Sequence, residues 1–218
     1  MDTNELHQWF ENNHNLLEEA YIAHEEPWRQ SGMSGPEERW ILLRKPIADC
    51  IDRKGTFLDI GCANGYLIEC CLKWTAERGI EIDPYGLDLS PKLVKMAQKR
   101  LPRYANHFFV GNGFYWKPPM KYDFVRVELI YVPSEYERAF VVRLLENFVA
   151  PGGRLLVASY GEGRANPNQG ILPGCHPTRF ILERLEELHL KPMGYYDGYE
   201  PYKGRSVRIA MLNEESVL

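Results

Sequence analysis

The run Phe57-Leu58-Asp59-Ile60-Gly61-Cys62-Ala63-Asn64-Gly65-Tyr66 constrains this chain more than any other stretch. A short apolar segment passes into a turn bracketed by glycines and then into an amphipathic segment, which reads as strand, tight loop and helix start. Glycine, lacking a Cβ, takes backbone angles closed to other residues and lets a ligand lie against the chain. Amides at the helix start then face that ligand. The spacing narrows its identity. A dinucleotide fingerprint needs G-x-G-x-x-G, whereas Gly61-x-Ala63-x-Gly65 is followed by Tyr66 where the third glycine belongs. NAD is therefore disfavoured, and no loop ending in Gly-Lys-Ser/Thr supports a nucleotide triphosphatase.

Downstream, residues 85–89 read as a second strand. Ser90 is a good N-cap and Pro91 suits the first turn of a helix whose Leu93, Val94, Ala97 and Leu101 fall at helical spacing. Asp88 then stands at the carboxyl end of a strand, roughly twenty residues past the glycine turn, where a carboxylate accepts ribose hydroxyl hydrogens. Asp83 competes for this role, but it precedes Pro84 in the loop entering the strand, so Asp88 is preferred; the plainer reading of Asp88 is a helix-flanking charge. The run 107–110 ends in Gly111-Asn112-Gly113. Asn112 offers both an acceptor and a donor, and Asn-Gly is equally a turn dipeptide.

Residues 122–127 read as a fourth strand. Ser134 and Glu137 form a capping-box pattern ahead of an apolar face of Phe140, Val141, Leu144, Leu145, Phe148 and Val149. Pro151-Gly152-Gly153 reads as a chain reversal before a strand at 154–158. A helix at 180–190 and strands near 193–199 and 206–212 follow. Strands alternating with helices imply an α/β protein with a parallel sheet covered on both faces.

The acidic residue ahead of the glycine turn, the acidic strand end at Asp88, the polar strand end at Asn112, and the order helix, Pro-Gly-Gly, strand together resemble the class I S-adenosylmethionine-dependent methyltransferases. The resemblance spans about residues 53–212 and departs at Ala63, which stands for the middle glycine. It implies a Rossmann-like open sheet of seven strands ordered 3-2-1-4-5-7-6, the last antiparallel, with helices on both faces. It implies S-adenosyl-L-methionine as cofactor, held by Asp59, Gly61, Cys62, Ala63, Gly65, Asp88, Leu89, Asn112, Gly113 and Glu128. Asn112 occupies the place of an Asp that meets the adenine amino group, and Glu128 and Tyr131 fall near the methyl group. Residues 1–52 form an N-terminal helical extension and 53–218 the methyltransferase domain, together one unit. Helices are expected at 6–24 and 37–51, with Pro46 kinking or interrupting the second. The loop Trp28-Arg29-Gln30-Ser31-Gly32 either walls the substrate pocket or belongs to a helical pair packed beside the sheet.

The implied activity is methyl transfer to a small-molecule acceptor; a protein side-chain methyltransferase and a non-catalytic S-adenosylmethionine-binding regulatory module are the alternatives. A base is needed only for a hydroxyl or protonated amine acceptor. Candidates are His176, Tyr131 and Tyr160, with residues 161–177 reading as a loop that a rigid sheet would carry. Tyr195, Tyr196, Tyr199 and Tyr202 either line an aromatic acceptor pocket or pack as half-buried strand residues. Glu128-Leu129-Ile130-Tyr131 stands where amino-group nucleic-acid enzymes carry Asn/Asp-Pro-Pro-aromatic.

The net charge of -4 among 218 residues argues against a partner held by phosphate contacts, so no nucleic acid is expected. No apolar run reaches the roughly 18 residues of a membrane span, and the polar N-terminus is not a signal peptide. Five cysteines, Cys50, Cys62, Cys70, Cys71 and Cys175, lack a Cys-x-x-Cys pair, so neither a disulfide framework nor a metal site is expected and a reducing cytoplasm fits. A homodimer stays open.

Overall fold

Apolar residues alternate along the central strands, and the two sets so defined build a core on each face of one sheet. The computed structural model describes residues 3–32, 35–164 and 172–218. Its elements are α1 (Thr3–Ile22), α2 (Glu37–Asp49), β1 (Gly55–Ile60), α3 (Tyr66–Ala76), β2 (Ile82–Asp88), α4 (Pro91–Arg100), β3 (Phe108–Val110), β4 (Tyr122–Val127), α5 (Glu137–Asn147), β5 (Val149–Glu162), α6 (Ile181–Glu187), β6 (Gly194–Glu200) and β7 (Arg205–Leu212). The sheet order is β3-β2-β1-β4-β5-β7-β6. β1 pairs in parallel with β2 and β4, whereas β7 runs antiparallel to β5 and β6. This is the order implied by the family resemblance.

Along β1, Phe57 joins one core and Leu58 the other; Phe124 and Val125 on β4, and Leu156 and Leu155 on β5, divide in the same way. Trp40, Leu43 and Ile47 of α2 and Ile68 and Cys71 of α3 cover the first face, and Phe140, Val141 and Leu144 of α5 and Leu185 of α6 the second. Leu6 and Phe10 of α1 join that second core. Burying each large side chain contributes roughly 1.5–3 kcal/mol.

Three local expectations need correction. Ser134 does not cap α5: residues 134–136 make a 3-10 turn, the N-cap is Tyr136, and no side-chain cap bond forms. Glu137 instead turns inward and accepts from Arg184 Nε at 2.8 Å, a partner the local pattern does not contain. Pro151-Gly152-Gly153 is no reversal. It bulges within β5, since Tyr122 pairs with Val149 but Phe124 with Arg154, and Gly152 takes φ +69°. Pro46 does not interrupt α2, which continues to Asp49. A proline without its N–H leaves the Leu42 carbonyl outside the helix ladder, and β6 packs there: a Cβ on Gly198 would meet Pro46 Cγ at 2.6 Å and the Leu42 oxygen at 3.0 Å.

Candidate functional site

The glycine turn sits at the carboxyl edge of the sheet, between β1 and α3. Gly61 and Gly65 both take φ +76°. A Cβ on Gly61 would lie 2.6 Å from the Tyr131 hydroxyl, and one on Gly65 2.9 Å from Ala97 Cβ, so packing as well as backbone angle requires glycine at both. Ala63 has φ +47°, a left-handed conformation that costs a non-glycine residue about 1–2 kcal/mol. The turn keeps the shape of a G-x-G-x-G loop without the middle glycine. Asn64, fully buried, holds it to the N-terminal segment: Nδ2 donates to Pro27 O at 3.0 Å and Gln30 Oε1 at 2.9 Å, and Oδ1 accepts from Tyr66 N at 3.2 Å.

A narrow cavity of about 130 Å³ runs from Gly61 along Asp88, Leu89, Asn112 and Gly113, roofed by Phe10, His14 and Glu18 of α1. Asp88 Oδ2 accepts from Ala63 N at 2.8 Å and Oδ1 from Ser90 N at 2.9 Å, so the carboxylate ties the glycine turn to the start of α4. Burial raises its pKa, opposed by these two amides. Each oxygen keeps a second lone pair for a ligand hydroxyl. Asp83 lies at the other end of β2, bonded to the Tyr85 hydroxyl. Asn112 Oδ1 accepts from Phe114 N at 2.8 Å, the local turn that Asn-Gly favours, while the residue still lines the cavity. Ser90 caps α4 through Leu93 N at 3.0 Å and its hydroxyl donates to Glu18, which also holds Lys92 at 2.7 Å; α1 is thereby fastened over the cleft.

A larger cavity of about 710 Å³ begins on the other side of Gly61. Leu17, Tyr21, Gly61, Ile130, Tyr131 and Leu172 line both spaces. At its floor lies Arg126 of β4, 3 % exposed. Arg126 Nη1 donates to Tyr131 Oη at 2.8 Å and to Asp59 Oδ1 at 3.2 Å; Nη2 donates to Tyr160 Oη at 3.0 Å and to Glu128 Oε1. Tyr131 Oη in turn donates to Glu128 Oε1 at 3.0 Å. Burial opposes the Arg126 charge, but Tyr131, Tyr160, Glu128 and Asp59 hold it protonated. Asp59 is 1 % exposed, and burial, against the pull of Arg126, pushes its pKa up to about 6. Its Oδ2 has no hydrogen-bond partner among the described residues.

Burial raises the pKa of Tyr131 and of Tyr160, opposed by Arg126 in both, so at neutral pH both phenols are protonated donors. Burial lowers the pKa of His176, with Arg184 adding to the effect; its Nδ1 lies 3.2 Å from Thr178 Oγ1 and the residue lines the larger cavity. Of the loop expected at 161–177, residues 161 and 162 belong to β5, and 165–171 lie outside the described residues. Tyr195, Tyr196, Tyr199 and Tyr202 line neither cavity and are exposed, because β6 is the sheet edge. Within the first fifty residues both expected arrangements occur: α2 packs on the sheet, while Tyr21, Arg29, Ser31 and Gly32 wall the larger cavity. Burial raises the Tyr21 pKa to about 12, with Glu128 and Asp88 adding to it.

Sequence reading assigned no role to Arg126, Arg44, Asn64 or Tyr21. Arg126 carried a signal, a charge inside the apolar run Phe124-Val125-Arg126-Val127. The other three had none. Among the described residues no group of three His, Cys, Asp or Glu side chains is placed to hold a metal ion, all five cysteines are free, and no helix is long and apolar enough to cross a membrane.

No family profile matches the chain. A malonyl-[acyl-carrier protein] O-methyltransferase of Halalkalibacterium halodurans is 28% identical over 129 residues, 55% of this chain and 44% of that relative, so the likeness spans less than half of the relative's length. Magnesium protoporphyrin IX methyltransferase from Synechocystis PCC 6803, solved with bound SAH, superposes with a TM-score of 0.63 at 16% identity, covering 94% of this chain and 100% of that one. The 1,6-didemethyltoxoflavin-N1-methyltransferase of Burkholderia thailandensis, solved with bound 1,6-didemethyltoxoflavin and S-adenosylhomocysteine, gives a TM-score of 0.66 at 14% identity, covering 95% of this chain and 89% of that one. Strand order, motif order and these likenesses agree: the chain has the fold of the class I S-adenosylmethionine-dependent methyltransferases.

Proposed function

We propose that this chain is an S-adenosylmethionine-dependent methyltransferase acting on a small-molecule acceptor by in-line displacement. The observation that carries the reading is the junction of the two cavities at Gly61 and Tyr131. The narrow cleft over Asp88 and Asn112 suits a nucleoside, and the 710 Å³ space beyond the junction leaves room for an acceptor. An open cavity there also disfavours a non-catalytic sensor. The residues fit the cofactor: Asp88 offers oxygens to a sugar, and the unpartnered Asp59 Oδ2 offers a buried acceptor to an ammonium group. When bound, the cofactor supplies an electrophilic methyl on a sulfonium.

The chain's own contribution is positioning, which yields roughly 7–11 kcal/mol in well-oriented intramolecular reactions. Gly61 lets the ligand approach the backbone, Arg126 fixes the Tyr131 and Tyr160 hydroxyls and the Glu128 carboxylate, and α1 keeps water from the cleft. Tyr160 serves as a hydroxyl donor that orients the acceptor, Tyr131, whose own proton goes to Glu128, walls the junction, and neutral His176 is available as a proton acceptor. The structural neighbours' names support a small molecule, whereas the sequence relative's name gives a malonyl group on a carrier protein, and the names do not choose a reacting atom, since one is an O-methyltransferase and another an N1-methyltransferase. The five free cysteines support a reducing compartment such as the cytoplasm.

Purified protein incubated with methyl-labelled cofactor and a metabolite extract tests this. Label in the low-mass fraction is expected. Label confined to macromolecules would favour a protein side chain, and tight binding without turnover a regulatory module.

A further inference from the structure

The larger cavity is charged unevenly. Arg29, Arg44, Arg126, Arg164 and Arg205 line it against only two carboxylates among the described residues, Asp59 and Glu128, and both of these already bind Arg126. Arg29 lies 3.7 Å from Glu26. The excess is therefore centred on Arg44 and Arg205, at the β5 and β7 side of the cavity rather than at the glycine turn.

Arg44 is the most informative of these. It is 7 % exposed, its guanidinium lies 3.4 Å from the Tyr160 ring centroid and 5.8 Å from that of Trp40, and its Nη1 has no hydrogen-bond partner among the described residues. A buried guanidinium N–H without an acceptor is costly, and an anion relieves that cost. Arg205 opens β7 beside the end of β5. Arg164, just past β5, has its pKa lowered by burial and by Arg205, so two like charges converge on the same space. Arg208, three residues along β7 from Arg205, is by contrast neutralised by Asp197 at 2.7 Å and Glu162 at 3.5 Å. Like charges held together in a concave, partly apolar site attract an anion, and guanidinium groups match a carboxylate geometrically. The cofactor adds to the imbalance, since its sulfonium and ammonium outweigh its carboxylate.

We propose that the acceptor is an organic acid whose anionic group is anchored by Arg44 and Arg205. The inference rests on the methyl-transfer reading and adds the chemical class of the acceptor. Trp40, Tyr160, Leu67 and Ile181 line the same space and suit an acid with an apolar body.

The test uses matched probes on the full chain saturated with S-adenosylhomocysteine: octanoate against octanamide, and 3-phenylpropionate against 3-phenylpropionamide, by calorimetry. Each acid is expected to bind at least about tenfold more tightly than its amide, about 1.4 kcal/mol. Arg205→Gln and Arg44→Gln are each expected to abolish most of that preference, Arg44→Lys to keep part of it, and S-adenosylhomocysteine affinity to stay within about twofold. Arg44 packs in the core, so circular dichroism accompanies its variants; Arg205, at a strand end, provides the second line. Equal binding of acid and amide, no binding of either at millimolar concentration, or an undiminished preference in Arg205→Gln overturns the proposal. So does a marked loss of S-adenosylhomocysteine affinity in Arg44→Gln, which would give that guanidinium to the cofactor's carboxylate. Failure of the wild-type protein to bind S-adenosylhomocysteine would instead defeat the methyl-transfer reading itself.

Discussion

Replacing Arg126 by methionine removes the guanidinium shared by Asp59, Glu128, Tyr131 and Tyr160 while keeping most of the side-chain length. With Arg126 present, Asp59 has a pKa of about 6, against about 3.9 for an unfolded carboxyl. A carboxyl whose pKa rises on folding binds more protons folded than unfolded, so stability is fully present at low pH and falls as the pH climbs from about 4 to about 6. At about 1.4 kcal/mol per unit, that cost levels off near 3 kcal/mol once Asp59 ionises beside Arg126. Without the arginine, Asp59 has no counter-ion at its Oδ1 and none at its Oδ2. It stays protonated, and the cost climbs further, to about 5 kcal/mol at about pH 7.5.

The variant therefore loses about 2 kcal/mol from Asp59 at about pH 7.5 and almost nothing from it at about pH 5, where both proteins hold the proton. Unpairing the Tyr131 and Tyr160 hydroxyls adds about 1 kcal/mol or more at either pH. Urea unfolding at the two pH values measures both parts, and adding Asp59→Asn should cancel the pH-dependent one. A loss that is the same at both pH values would refute the reading of Asp59 as a buried acid held ionised by Arg126.

Ala63→Gly should leave stability unchanged or raise it by up to about 1 kcal/mol in thermal unfolding, because relief of the left-handed strain offsets the extra unfolded-chain entropy; a clear loss would show that the methyl group packs. Asp88→Ala should weaken S-adenosylhomocysteine binding by about 1–3 kcal/mol in calorimetry and destabilise the free protein by about 1–2 kcal/mol, since the Ala63 and Ser90 amides lose their acceptor. Unchanged affinity would move the sugar contact to another group.

Much of the scaffold was legible locally. Ser90 and Pro91 open α4 where cap chemistry places them, and the alternation along residues 57–58 and 124–125 assigns each side chain to a face. Where a local pattern misled, a distant partner had intervened. Glu137 resembles a capping-box member but is claimed by Arg184, 47 residues away. Pro46 should break α2, yet β6 brings Gly198 against the carbonyl that the proline leaves over. Tyr195 and Tyr199 could have faced a pocket, and only the edge position of β6 sends them to solvent.

The sequence by itself determined the strand–turn–helix units, the left-handed turn at residues 61–65 and the acidic strand end at Asp88, because backbone angles, caps and the two-residue strand period depend on neighbours in the chain. The tertiary structure alone decided that Arg126 would join Asp59 and Tyr160, 67 and 34 residues away, and that Arg44 and Arg205 would face one cavity from α2 and β7. Those meetings follow from the order in which strands lie side by side, and charge brought together across a sheet leaves no mark on the spacing of the residues that carry it.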